Sequence, residues 1–359
     1  MGHEWLLCGN LMKILLANFA ECPENLHFEQ ALIRAFNGEK GASLDIVHDF
    51  QFPYSFIEKL PPSGGGRRIK YSGLPGLKRE LRSGYDILLL LDFPKRKACA
   101  APFLWLLKDA ACVKKIFIAN HLLPMPGHNP TADIVSKLGL LSVLDLACIF
   151  EFDDRSLWSE LGLRYGRAVT RGYAVDCLYY TPVDAPSGDY IFTAGSAGRD
   201  FAGLARVVEK AGLMLKIFTD QQVAFKGDFR TSVSVFPFAK NLHNLREAVR
   251  EAKAVVLPIA DKHINEAAGN SIAFIAMACG RPVITRWTRY MGRFIESGGN
   301  GFFYKSLSQL SLARQLKRAL SLNAAASRRL AKAARAVVLK KASLDVFAAR
   351  FVRKFIFRR

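Results

Sequence analysis

Residues 263–304 read HINEAAGNSIAFIAMACGRPVITRWTRYMGRFIESGGNGFFY. A glycine-bearing turn, Gly269-Asn270-Ser271, opens an apolar run of small residues from Ile272 to Cys279. Gly280 stops that helix, Pro282 follows it, and Val283-Ile284-Thr285 reads as a short buried strand. A second loop then ends in Asn300-Gly301, with Phe302-Phe303 behind it. The stretch therefore predicts turn, helix, strand and loop in that order. Backbone N–H groups at such a helix start can hold an anion such as a diphosphate.

Upstream, the same alternation recurs. Tyr190–Ala194, Leu215–Thr219, Val233–Phe236 and Ala254–Pro258 read as strands, and Asp200–Lys210 and Leu242–Glu251 as helices. Between the first strand and its helix lies Gly195-Ser196-Ala197-Gly198-Arg199-Asp200. Such a loop approaches phosphate closely, and Arg199 supplies the charge; the plain alternative is an ordinary strand–helix turn capped by Asp200.

The order acid, Gly, small apolar helix ending Ala276-Met277-Ala278-Cys279-Gly280, then Pro282-Val283-Ile284 and Asn300-Gly301-Phe302, resembles the C-terminal domain of GT-B glycosyltransferases, especially the group-1, family 4-like set. The likeness is good over about residues 166–304 and weak before them. It implies two Rossmann-like doubly wound α/β domains facing a cleft. It also implies a diphosphate held by Gly195, Ser196 and Arg199 on one loop and by Gly269, Asn270 and Ser271 on the other. Retaining enzymes of that set carry two glutamates eight positions apart, the second on the nucleotide ribose. Glu266 is the candidate for the first; the second position is Ile275 or Phe274, and neither accepts a ribose hydrogen bond. Glu266 thus reads either as a catalytic acid or as a solvated loop acid, and ribose recognition falls to Asn270, Ser271 or backbone.

The first half has its own strand series: Met12–Ala17, Leu44–Val47, Asp86–Asp92, Lys114–Ala119 and Ala147–Phe152, with a helix over 25–36. Residues 61–76, with Pro61-Pro62, Gly64-Gly65-Gly66 and basic residues, read as a mobile loop. Gly172–Asp176 with Tyr180-Thr181-Pro182 resembles the family's crossover between domains, Asp176 being a turn acid. The expected division is a 1–11 extension, an acceptor domain over 12–180, a donor domain over 181–340, and a basic C-terminal helix over 341–359 packing back on the first domain. His27, at a helix start, and His121, after a strand, are candidates to position or deprotonate an acceptor hydroxyl. His121 loosely matches an acceptor-side histidine of the family. Glu151-Phe152-Asp153-Asp154 resembles the acidic metal motif of the unrelated GT-A fold, and the bland reading is a solvated acid cluster.

Composition sets the remaining bounds. The chain has 359 residues, half of them hydrophobic, which suits two domains with sizeable cores. Seven isolated cysteines without Cys-x-x-Cys spacing argue against a zinc site and fit a reducing compartment. No apolar run reaches the ~18–20 residues of a membrane span. The net charge of +20 favours anionic partners. From Arg314 to Arg359 there are fourteen Lys or Arg and one acid, Asp345, while Leu344, Phe347, Phe351 and Phe355 share one helical face.

The expected activity is metal-independent transfer of a sugar from a nucleoside-diphosphate sugar to a glycan or glycolipid acceptor, with no cofactor beyond that donor. The expected place is the cytoplasm, peripheral on the inner face of the membrane. The alternatives are a non-catalytic nucleotide-binding module on the same fold, a sugar-nucleotide epimerase, and a nucleic-acid binder. The last lacks a helix-turn-helix or a strand platform of basic and aromatic residues.

Overall fold

The computed structural model describes residues 11–18, 23–37, 39, 41–48, 67–70, 74–92, 97–110, 113–120, 139–151, 158–159, 162–164, 166–184, 188–195, 198–223, 225, 232–237, 242–260, 266–305 and 309–357. The chain forms two compact units: Met1–Gly172 with Ala348–Arg359, and Tyr173–Phe347.

The first unit holds β1 (Met12–Asn18), α1 (Pro23–Asn37), β2 (Ala42–His48), β3 (Arg67–Lys70), α2 (Leu74–Leu81), β4 (Ile87–Leu91), α3 (Lys97–Asp109), β5 (Lys114–Ile118), β6 (Leu146–Phe150) and β7 (Ala168–Arg171). Its seven strands are all parallel, in the order β3-β2-β1-β4-β5-β6-β7. Every residue of β4 is buried, as a central parallel strand covered on both faces requires.

The second unit holds β8 (Tyr190–Ala194), α4 (Phe201–Lys210), β9 (Met214–Phe218), β10 (Val233–Phe236), α5 (Leu242–Glu251), β11 (Ala254–Val256), α6 (Asn270–Ala278), β12 (Val283–Arg286), β13 (Phe302–Tyr304), α7 (Gln309–Leu320) and α8 (Ala324–Lys341). Its six strands, again all parallel, run β10-β9-β8-β11-β12-β13. Both sheets therefore reverse direction beside their first strand, at β1/β4 and at β8/β11. Ligands of such sheets bind outside the carboxyl ends of the strands at this switch point. Helices α4 and α7 share one core with Ile191, Leu215, Ile217, Val256 and Ile284. α6 is buried nearly all round, which its small apolar sequence allows.

Two sequence expectations change. Residues 61–76 are not one loop: β3 pairs with β2 and α2 begins at Leu74. Arg67-Arg68-Ile69-Lys70 hides as a strand because edge strands carry basic residues that blunt further pairing. The units also part at Gly172/Tyr173 rather than near residue 180. Arg335 on α8 explains the difference. Its guanidinium donates to the carbonyls of Cys177 (3.1 Å), Tyr180 (2.9 Å) and Ala278, tying residues 177–180 to α6. Asp176 serves as a turn acid there, accepting from the N–H groups of Leu178 and Tyr179.

The last helix, α9 (Leu344–Phe351), starts in the second unit and ends in the first. Leu344 and Phe351 are buried. A π-helical turn, Val352–Ile356, packs on α1, and Arg353 reaches Glu39 at 3.2 Å.

Candidate functional site

In the second unit the two glycine-bearing loops meet. β8 stops at Ala194, and Gly195 follows with φ +133°, a backbone state that side chains rarely adopt. A β-carbon on Gly195 would stand 2.9 Å from Nε and Nη2 of Arg199, so glycine leaves the space that the guanidinium fills. Arg199 itself bridges to Ile259 beyond β11, while Asp200 donates its N–H to the carbonyl of Pro258 (2.8 Å) and caps α4 through Gly203. Burial pushes the Arg199 pKa down from its ordinary value, with Tyr304 acting weakly the other way. A half-buried cation under that desolvation penalty gains when an anion arrives.

Beside it lies the start of α6. Gly269, the residue before the helix, has φ +81° and offers no side-chain cap. The N–H of Asn270 is donated to the carbonyl of Ala267 (3.3 Å), and those of Ser271 and Ile272 have no partner within a helix. A β-carbon on Gly269 would lie 3.7 Å from Nη2 of Arg199, so two motifs 70 positions apart sit side by side at the β8/β11 switch point. Ser271 is half-exposed. Asn270 is buried: its Nδ2 donates to the carbonyl of Glu266 (2.7 Å) and closes the turn. Ser196 lies outside the described residues.

Glu266 is engaged with backbone. One carboxylate oxygen accepts the N–H of Tyr290 at 2.6 Å and the other that of Arg289 at 3.2 Å. The carboxylate thereby holds the loop after β12. The second glutamate position is apolar under either alignment. Phe274 is fully buried, stacks on Tyr173 (centroids 5.8 Å apart, planes 6° apart) and meets Phe294 edge-on at 4.8 Å. The Tyr290 hydroxyl closes this cluster by accepting the N–H of Tyr173 at 2.6 Å.

The first unit carries a buried polar network at its own switch point. Asp92, with φ 57°, accepts from Asn25 Nδ2 (3.0 Å) and from the N–H of Asn120 (2.8 Å). Asn120 donates to Asn25 at 2.7 Å, and Arg171 donates to the carbonyl of Ala119. Glu29 takes Asn18 Nδ2 at 3.0 Å and stands 2.7 Å from His48 Nε2. His27, the expected acceptor-side candidate on α1, is 3% exposed and packed inside this unit, so no sugar reaches it as the helix stands. His121 and Asp153-Asp154 lie outside the described residues.

Residues 229–337 match the family model for glycosyl transferases group 1. The match falls wholly within the second unit. No curated protein matches the chain in sequence. Solved structures share its GT-B fold. A glycosyltransferase from Rickettsia africae superposes with TM-score 0.64 at 13% identity, covering 98% of this chain and 100% of that one. Anabaena HepE in complex with UDP and glucose gives 0.65 at 11%, covering 97% and 100%. Sucrose-phosphate synthase from Thermosynechococcus elongatus gives 0.64 at 14%, covering 97% and 98%.

The matched segment holds the glycine turn before α6, while the basic loop of Arg199 lies upstream of it. Sequence reasoning singled out Arg199 and the α6 start because both lie at strand–helix junctions, and the structure brings the two together. It missed the tie from Glu266 to residues 289–290, and the Asn25–Asp92–Asn120 network. Those pairings join distant segments and leave no periodic trace.

Proposed function

We propose that the protein transfers a sugar from a nucleoside-diphosphate sugar to an acceptor hydroxyl. The observation that carries this reading is the meeting of Arg199 with the uncapped start of α6 at the β8/β11 switch point. As the bond from the sugar C1 to the diphosphate breaks, negative charge grows on the leaving oxygen. Arg199 and the N–H groups of the first turn of α6 stabilise it there without reorganising. In this reading the cation on the diphosphate is Arg199 and transfer is metal-independent. HepE, solved with UDP and glucose, supports a UDP-type donor. His121 is the acceptor-side candidate; unchanged turnover in His121→Ala removes it.

The acceptor we propose is a lipid-linked or surface glycan precursor. No described helix is long and apolar enough to cross a membrane. From Lys305 to Leu344, however, there are ten Lys or Arg and no acid. Near an anionic bilayer each such charge contributes roughly 1 kcal/mol, which supports a peripheral position.

A second reading, nucleotide binding without turnover, is favoured by the apolar Phe274 and Ile275 where a ribose carboxylate would stand. A thermal-shift screen of UDP, GDP, ADP, CMP and their sugar conjugates, on wild type and Arg199→Ala, tests the site. Stabilisation of the wild type alone by one nucleotide family supports it. Release of nucleoside diphosphate with and without EDTA then separates transferase from binding module and tests the metal-independence.

A further inference from the structure

Trp287 is 61% exposed, an unusual place for the largest apolar side chain. It follows the last residue of β12, so it stands at the carboxyl edge of the second sheet, the edge that carries Arg199 and the start of α6. The residues that follow it are fixed from three directions. Glu266 holds the N–H groups of Arg289 and Tyr290, Thr288 Oγ1 accepts the N–H of Met291 (3.1 Å), and Tyr290 is locked in the aromatic cluster. The indole is also placed. A β-carbon on Gly292 would stand 2.9 Å from its Nε1, so the ring lies close over a backbone that only glycine can offer.

The surroundings are cationic. Arg289 and Arg293 are exposed on the turn that follows Trp287, with the Arg293 guanidinium 4.7 Å over the Tyr290 ring. Lys341 reaches this turn through the carbonyl of Arg293 at 3.0 Å; the Arg286 guanidinium lies instead over the Tyr304 ring at 5.6 Å. A wet indole presents a negative π-face, which suits the polarised C–H face of a pyranose; the exposed Arg289, two residues on, suits a carboxylate or phosphate on that sugar.

We propose that Trp287 is a stacking platform for a pyranose ring bearing an acidic group, with Arg289 pairing that group. This rests on the sugar-transferase reading and deepens it, giving the bound saccharide a chemical class. The site holds a saccharide beside the diphosphate seat; Trp287 is a specificity residue and takes no part in bond breaking.

The chain has four tryptophans, of which Trp158 is buried and Trp105 is 68% exposed on α3. Intrinsic fluorescence is therefore read on wild type, Trp287→Phe and the control Trp105→Phe. The titrants are methyl glucuronide, methyl glucoside, methyl galacturonide and glucose 6-phosphate. The expected result is saturable quenching in wild type and Trp105→Phe, absent in Trp287→Phe, with the acidic sugars binding tighter than the glucoside. Arg289→Gln should weaken the acidic sugars by about two- to fivefold and leave the glucoside unchanged, the size of an exposed charge contact.

Equal quenching in Trp287→Phe and wild type overturns the proposal, and so does the absence of any Trp287-dependent response to all four. UDP stabilisation measured on the same preparations keeps the two readings apart. If UDP still stabilises wild type, only the platform has failed. A Trp287-dependent response with no nucleotide stabilisation would support the platform while the transferase reading fails.

Discussion

A β-carbon on Gly269 would stand 3.7 Å from the Nη2 atom of Arg199, so a helix start and a guanidinium from separate βα units meet at one place, where the proposed diphosphate would sit. Neither group makes that seat alone. The helix start supplies oriented dipoles, and Arg199 supplies a full charge in a partly desolvated place.

Removing the charge should therefore remove most of the nucleotide affinity. Charge-assisted hydrogen bonds of this kind contribute about 1.5–3 kcal/mol, so Arg199→Ala should weaken UDP binding about 10- to 100-fold. Arg199→Lys should recover part of it, because an ammonium carries the charge without the fork. Gly195→Ala tests the same seat from its other side. A methyl there meets the guanidinium at 2.9 Å on a backbone at φ +133°, so the variant should lose about 1–3 kcal/mol of stability and displace Arg199. Calorimetric UDP titration of the three variants is the check. Undiminished affinity in Arg199→Ala would remove Arg199 from the site.

Glu266 separates a catalytic role from a bracing one. Its two oxygens take the N–H groups of Tyr290 and Arg289. As a brace, Glu266→Gln keeps one acceptor and should cost about 1 kcal/mol, whereas Glu266→Ala leaves two amides without a partner and should cost about 2–4 kcal/mol. Turnover should fall in step with the melting temperature across the pair. A Glu266→Gln protein of wild-type stability with turnover reduced a hundredfold or more would instead make the carboxylate catalytic.

The legible part of the molecule was its local grammar. Tyr190–Ala194 announces itself through an apolar run that is wholly buried, and Leu242–Glu251 through helical spacing, whereas Val233–Phe236 is read from its residue types although most of it is exposed. β8 and β11 then carry Arg199 and the α6 start to one edge. What stayed hidden depends on chain folding rather than on period. Glu266 meets Tyr290 across 24 positions, and Asn25 meets Asp92 and Asn120 across 67 and 95. β3 was masked by its own basic residues. His27 illustrates the converse: its place at a helix start looked accessible in sequence, but the face of α1 it occupies turns inward.

Phe274 is one of the two positions, with Ile275, at which the family resemblance would place a second glutamate. It is sandwiched by Tyr173, with Phe294 and Tyr290 against its edges, and is fully buried. Phe274→Ala should cost about 3–5 kcal/mol through the cavity it leaves. Phe274→Glu should be worse, because a carboxylate would be buried among rings with nothing to pair it. Chemical denaturation measures both. A stable Phe274→Glu protein with tighter UDP binding would mean that the position faces the ribose after all.

Alkaline pH gives an independent reading of the core. Burial pushes the Cys148 thiol up to about 11 and those of Cys177 and Cys279 up to about 12, from an ordinary 9.0. All three are buried, and none is in a disulfide. A thiol that ionises later when folded holds a proton that the unfolded chain has already lost. Stability from this source is complete below pH 9 and declines as pH rises from 9 towards 12. Tyr190, pushed up to about 12 chiefly by burial, acts in the same direction. The melting temperature should therefore fall progressively above pH 9. At pH 8 Cys148, Cys177 and Cys279 should resist a thiol reagent until denaturant is added, leaving at most the other four of the seven cysteines to react in the folded protein. Five or more fast thiols in the native protein, or a melting temperature flat from pH 8 to 11, would show that this core opens more readily than its packing implies.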